Sequence, residues 1–316
     1  MSENSQHEEA SLKWAMIGNI FMGIAGVTAS YLSNSDALLI DGLYSLVNFA
    51  SALVAMKVAK NVQQMPNPEF PYGYYANESL YVLFRSLVLM GILLFACFGA
   101  LDKIFHYLSG GEVPKIVLGP IITYSILMVA ICFGLAATHH RNWLKTQKQS
   151  NILQTEKSAA IVDGFMSAGA GGALLAVTLL SGTFLEGIIP IADSILVLIL
   201  CSTMLGTPAS LFRKSMAEIQ GKATDPELAQ KTRDAIHQTI DPDRFELIDF
   251  NMTKLGRGYF CVSHIRPKDK VDVSELDTTR QAVTLCCQEI VGHPMSEVVF
   301  TSRTAFQSPD DPNERS

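Results

Sequence analysis

Six apolar blocks, each near the ~20 residues a helix needs to cross a bilayer, constrain this chain more than any other feature. They fall at 12–32, 37–59, 80–104, 116–138, 159–180 and 187–210. A chain that is 48% hydrophobic and 17% charged rarely folds as a soluble domain when its apolar residues are blocked in this way. The blocks predict a membrane α-helical fold with six transmembrane helices spanning 12–212. Pro208 is expected to end or kink the sixth near Thr207, because proline cannot continue the hydrogen-bond ladder. The opening "MSENSQHEEA" is acidic and polar, unlike a cleavable signal, and residues 1–11 read as a disordered N-terminal tail.

Basic residues set the orientation. Lys13, Lys57, Lys60, Arg141, Lys145, Lys148, Lys157, Arg213, Lys214 and Lys222 fall on one side of the predicted spans, whereas Lys103 and Lys115 fall on the other. Both termini are therefore expected on the cytoplasmic side of an inner (plasma) membrane, with the lipid bilayer as the chain's medium. A net charge of -6 gives no reason to expect nucleic acid. The six cysteines show no CxxC spacing, so no disulfide framework is implied.

After Ser215 the composition becomes that of a soluble domain. Asp225 is placed to cap a helix with Pro226 at its first position. "FELIDFNMTKL" and "GYFCVSHI" read as strands joined by a turn, "SELDTTRQAVTLCCQEIV" as a helix opened by Ser274, and "SEVVFTS" as a third strand. The order αββαβ predicts a small α+β, ferredoxin-like cytoplasmic domain over 213–305. The polar tail 306–316 reads as disordered.

Two near-copies of one motif interrupt the apolar blocks: "LLIDGLYSLVN" at 38–48 and "IVDGFMS" at 161–167. Glycine is tolerated in bilayer helices and permits close helix approach. A carboxylate in a span is costly and is a functional-site candidate by default. Asp41 has a second reading, as a residue near the outer interface that hydrogen-bonds a neighbouring helix.

These motifs, taken in order, resemble those of the cation diffusion facilitator family. "SDALLIDGLYSLVNFAS" is similar to its second-span pattern S-x-x-L-x-x-D-x-x-(H/D)-S-x-x-D. "YGYYANESL" stands where the family has F/Y-G-H-G-K-A-E-x-L. "ADSIL" resembles the Asp-containing start of the sixth span, and "SMAEIQGKATDPEL" the exit into the cytoplasmic domain. The resemblance implies a homodimeric carrier that exports a divalent cation in exchange for protons. It also implies a transport site of paired side chains, i and i+4, on spans two and five. Here those positions are Tyr44 and Asn48, then Ala159 and Asp163, so a single carboxylate survives among them.

Residues 41, 44, 45 and 48 share one helix face. A site of Asp41, Tyr44, Ser45 and Asn48 facing Asp163 and Ser167 would offer only oxygen ligands. Such ligands suit Mg²⁺ or Mn²⁺ better than Zn²⁺; Fe is undecided, and so few carboxylates also suit a monovalent ion or a proton. Against the family pattern, Tyr74 replaces a loop His, Ala76 a Lys, and Gln220 that Lys's Asp partner. His264 falls on a regulatory-metal position, but Ile248 and "FTS" stand at the others, and a lone His264 reads more simply as a strand residue. Arg85, in the third span, reads as snorkelling to the interface, as pairing with Glu78, or as pairing with a site carboxylate.

The reading is a non-enzymatic secondary cation transporter with no resident cofactor, working by cation/proton antiport and alternating access. A second reading is a transport-silent relative that serves as a scaffold or regulatory partner of another membrane protein. No nucleophile–base pair or phosphate loop points to an enzyme.

Overall fold

A computed structural model describes residues 3–62, 67–145, 151–178, 186–256, 258–292 and 294–302. The helices are α1 (Glu3–Ser33), α2 (Asp36–Val62), α3 (Ala76–Leu108), α4 (Leu118–Lys145) and α5 (Asn151–Thr178). A short 3-10 helix, Glu186–Ile191, leads into α6 (Ala192–Met204) and α7 (Gly206–Ile219). The C-terminal elements are α8 (Pro226–Thr239), β1 (Phe245–Leu255), β2 (Gly258–Pro267), α9 (Val273–Val291) and β3 (Pro294–Phe300).

Five stretches are long and apolar enough to cross a membrane: Lys13–Ser33, Asp36–Val58, Ala76–Leu108, Leu118–Lys145 and Gly187–Ile219. The expected fifth span is a shorter apolar helix, Ala160–Ala176, inside α5. Its polar beginning, "NILQTEKS", shortens the apolar run, and Leu179 and Leu180 lie outside the described residues. The described residues thus give five full-length spans where six are predicted.

Two boundaries also differ from expectation. Residues 3–11, predicted as a tail, are the first turns of α1, because Glu, Gln and Ala propagate a helix already nucleated downstream. Ser11 is fully buried; its Oγ accepts from Asn142 Nδ2 at 2.9 Å and lies 3.1 Å from His139 Nδ1, tying α1 to α4. The sixth span breaks at Leu205, not Thr207, and resumes as α7. Pro208 has no N–H to offer the Met204 carbonyl, whereas the bonds from Leu205 N to Cys201 O and from Ala209 N to Leu205 O remain.

The chain forms two compact units, the first comprising Met1–Met56 and Phe84–Leu211. One apolar cluster joins Met22 and Ala29 of α1, Leu38 of α2, Ile121, Tyr124, Met128 and Cys132 of α4, and Leu174 of α5. A second joins Ala37 and Ile40 of α2, Leu93 and Ala100 of α3, and Val197 and Cys201 of α6. Helix α2 contributes to both clusters. Phe84, Phe95, Phe98 and Phe105 of α3 are 62–81% exposed, an apolar surface suited to lipid and too large for water.

Asp193, on the sixth apolar block, is buried and caps α2 from a distance. It accepts from Ser35 Oγ at 2.5 Å and from the backbone N–H groups of Asp36 at 2.7 Å and Ala37 at 3.4 Å. A helix start has unpaired N–H groups and a partial positive charge, both of which a carboxylate satisfies. Asp36 in turn takes Lys103 Nζ at 2.6 Å. This family-like Asp is therefore architectural.

The second unit comprises Lys57–Leu83 and Phe212–Ser316. Its order is αββαβ: β1 pairs antiparallel with β2, and β2 parallel with β3 through the α9 crossover. Ile236 and Ile240 of α8, Phe245, Leu247, Phe250 and Met252 of β1, Cys261 and Ile265 of β2, and Val283 and Cys287 of α9 form one core. Asp225 caps α8, accepting from Glu227 N at 3.0 Å. Helix α9 begins at Val273 after Asp272, one residue before the predicted Ser274 start. Residues 57–83 join this unit because Tyr75 seats against the β1–β2 turn, where a Cβ on Gly256 would collide with the Tyr75 carbonyl.

Candidate functional site

Gly42 explains half of the first Asp-Gly pair. A Cβ there would lie 2.8 Å from Val27 N and 3.0 Å from Gly23 O, so α1 and α2 cross backbone to backbone at Gly23, Gly26 and Gly42. On α5, Gly164 and Gly171 instead make room for side chains of α4, where an added Cβ would meet Cys132 Cβ at 3.1 Å and the Ser125 side chain. The two glycine-bearing motifs thereby bring α2 and α5 into one bundle with α1 and α4.

A cavity of about 40 Å³ lies inside this bundle. Its wall includes all six residues read from the sequence: Asp41, Tyr44, Ser45 and Asn48 from α2, and Asp163 and Ser167 from α5. Asp41 is held by two other helices: Tyr124 Oη donates to its Oδ2 at 2.8 Å and Ser167 Oγ at 3.4 Å. Asp41 thus does both things the sequence allows, bonding neighbouring helices while lining the cavity. Asp163 lines the same cavity and is exposed. Ala159 stands at the remaining family position, and its side chain is outside the described residues.

The cavity also has residues that sequence reasoning missed. Tyr124 and Ser125 come from α4, and Met22, Met128 and Met204 from α1, α4 and α6. Tyr124 sits in an apolar run without a motif, and nothing but its polar tip in a span could have marked it. The methionines complete the wall as adaptable apolar surface, so the lining is oxygen on one part and thioether on another.

Arg85 Nη2 donates to Asn48 Oδ1 at 2.9 Å. The acceptor is a cavity-lining amide, which none of the three readings of Arg85 named. Glu78 stands in the first turn of α3.

In the second unit, His264 lies mid-strand in β2, opposite Asp249 and Val299. Its Nδ1 is buried with no hydrogen-bond partner among the described residues. Ile248 is the unpaired residue of a bulge in β1, and Phe300 packs on Phe245 with ring centroids 6.1 Å apart. The described residues contain no group of three or more His, Cys, Asp or Glu placed to hold a metal. Tyr74 takes a hydrogen bond from Asn67 Nδ2 at 2.7 Å. Where the family's Lys–Asp interlock is missing, Ser79 Oγ donates to Glu218 Oε2 at 2.6 Å and accepts from Gly256 N at 2.9 Å. Lys254 Nζ lies 3.4 Å from Glu218 Oε1.

Comparison with known proteins identifies the family of the apolar region. An uncharacterized transporter of Methanocaldococcus jannaschii is 25% identical over 123 residues. That match covers 39% of this chain and 39% of the relative. The family model of the cation efflux transmembrane domain matches residues 12–219, which hold every cavity residue. The chain is a multi-pass membrane protein and belongs to the cation efflux family.

Proposed function

We propose that this chain is a secondary transporter that moves a small cation through the cavity in exchange for a proton, by alternating access. The observation that supports this most is the meeting of two carboxylates, Asp41 from α2 and Asp163 from α5, at one cavity. Each carboxylate can hold either a cation or a proton, which is the chemical requirement of exchange. The cavity has room for at least one water-sized guest. Tyr44, Ser45, Asn48, Tyr124, Ser125 and Ser167 supply neutral oxygens to its wall. Oxygen donors without imidazole or thiolate favour hard cations, Na⁺, Mg²⁺ or Mn²⁺, over Zn²⁺. The carrier works as a homodimer in the inner (plasma) membrane with both termini cytoplasmic.

One observation favours the silent-partner reading: the Asp41 and Asn48 oxygens already take hydrogen bonds from Tyr124, Ser167 and Arg85. Proteoliposomes loaded with a panel of mono- and divalent ions decide between the two. Flux of at least one ion is expected, and Asp163→Asn, which preserves shape, should abolish it with folding intact. Undiminished flux in Asp163→Asn would remove Asp163 from the path. No flux of any ion in the unmutated protein would favour the silent partner.

A further inference from the structure

The two oxygens of Asp41 are treated differently. Oδ2 accepts from Tyr124 Oη at 2.8 Å and, by a longer and weaker bond, from Ser167 Oγ at 3.4 Å. Oδ1 takes no hydrogen bond among the described residues. The short bond comes from a donor that is held in place. Tyr124 is 4% exposed and belongs to the apolar cluster of Met22, Leu38 and Met128. Its hydroxyl is wedged at the α1–α2 crossing, where a Cβ on Gly26 would lie 3.0 Å from Tyr124 Oη and 2.6 Å from Gly42 Cα. Close packing of this kind fixes the direction of the O–H, and a hydrogen bond received by a ligating carboxylate orients it toward its ion. Asp41, Tyr124 and Ser167 all line the cavity, so the oxygen that Asp41 has to offer a guest is Oδ1.

We propose that Tyr124 is a positioning residue that makes Asp41 a one-oxygen ligand, so that the cavity selects small hard cations such as Mn²⁺ over larger ones such as Ca²⁺. The inference rests on the transport reading above and narrows its substrate class. Ca²⁺ gathers about 6–8 oxygens and often takes both oxygens of a carboxylate to do so, whereas Mg²⁺ keeps a tighter, near-octahedral shell; Mn²⁺ shares that octahedral preference. One oxygen from Asp41 serves the smaller shell. To bind Ca²⁺ through both, Asp41 must release Tyr124 and leave a buried hydroxyl without its acceptor. That loss weakens binding by roughly tenfold, and it falls only on the ion that needs the second oxygen.

The test compares the unmutated protein with Tyr124→Phe, Ser167→Ala and Asp41→Asn. Mn²⁺ and Ca²⁺ binding are measured by calorimetry in detergent, the Asp41 carboxylate by Ca²⁺-induced infrared difference spectra, and flux in proteoliposomes. The unmutated protein should bind Mn²⁺ in preference to Ca²⁺. Tyr124→Phe removes only the hydroxyl, and its Ca²⁺-to-Mn²⁺ affinity ratio should rise by roughly tenfold. The splitting between the two Asp41 carboxylate stretches, assigned by their loss in Asp41→Asn, should narrow in the same variant as both oxygens engage Ca²⁺. Ser167→Ala should move the ratio the same way by less, and serves if Tyr124→Phe does not fold. An unchanged ratio overturns the inference, and so does a raised ratio with unchanged splitting, which a merely wider cavity would give. Failure of every variant to bind either ion overturns it too. A shift of both ratio and splitting in a protein that moves no ion refutes transport and upholds the role of Tyr124.

Discussion

Glycine and aspartate do different jobs in the two Asp-Gly pairs, and the difference is measurable at single residues. Gly42 sits where a Cβ would meet backbone atoms of α1 at 2.8–3.0 Å, and backbone cannot give as a side chain can. Gly42→Ala should therefore force α1 from α2 and destabilise the protein by about 1–3 kcal/mol, the usual cost of overpacking. Gly169, on α5, has open space where a methyl group would sit, with nothing within 4 Å, so Gly169→Ala should be nearly neutral. Thermal unfolding in detergent compares the two, and equal midpoints would show that the α1–α2 crossing tolerates separation. Asp41 owes its place to this crossing, since it precedes Gly42 and is then reached by Tyr124 and Ser167.

At the scale of elements, the absent Lys–Asp interlock has been replaced by something the sequence does not announce. Ser79 on α3 is nearly fully buried and links Glu218 of α7 to the Gly256 amide in the β1–β2 turn. Removing one hydroxyl leaves both a buried N–H and a carboxylate oxygen without their partner. Ser79→Ala should cost about 1–2 kcal/mol and raise amide hydrogen exchange at the β1–β2 turn by roughly tenfold. Unchanged protection at Gly256 would mean that the turn is held by Tyr75 packing alone. In the sixth span Pro208, which the sequence does announce, leaves the Met204 carbonyl four residues upstream without its N–H, and the helix is interrupted at Leu205.

For the whole molecule, the separate question is what would hold two copies together in the proposed homodimer. The αββαβ unit exposes Val273, Leu285 and Val299, and its described residues offer His264 without a ligand cluster around it. A homodimer resting on such apolar contact should be indifferent to metal. Light scattering on chelator-treated protein in detergent should still report a dimer, and dissociation to monomers on metal removal would contradict this. The same unit takes in residues 57–83, so the loop between α2 and α3 belongs with the soluble fold despite lying between two apolar blocks.

Hydrophobic blocks, caps and turn residues act over a few positions, which is why helices α1 to α4, the αββαβ order and the Asp225 cap were legible from the sequence. The face shared by residues 41, 44, 45 and 48 was legible too, because helical spacing places them together whatever surrounds them. Tyr124, the three cavity methionines and the bond from Arg85 to Asn48 were not. Each depends on which helices pack side by side, and a span sequence carries little of that, since every face of a lipid-embedded helix is apolar. Close approach of backbone at Gly42, and of α4 side chains at Gly164 and Gly171, chooses those neighbours. The sequence alone therefore determined that Asp41 and Asp163 were available, and tertiary packing decided that they share one cavity, with the Tyr124 hydroxyl on Asp41.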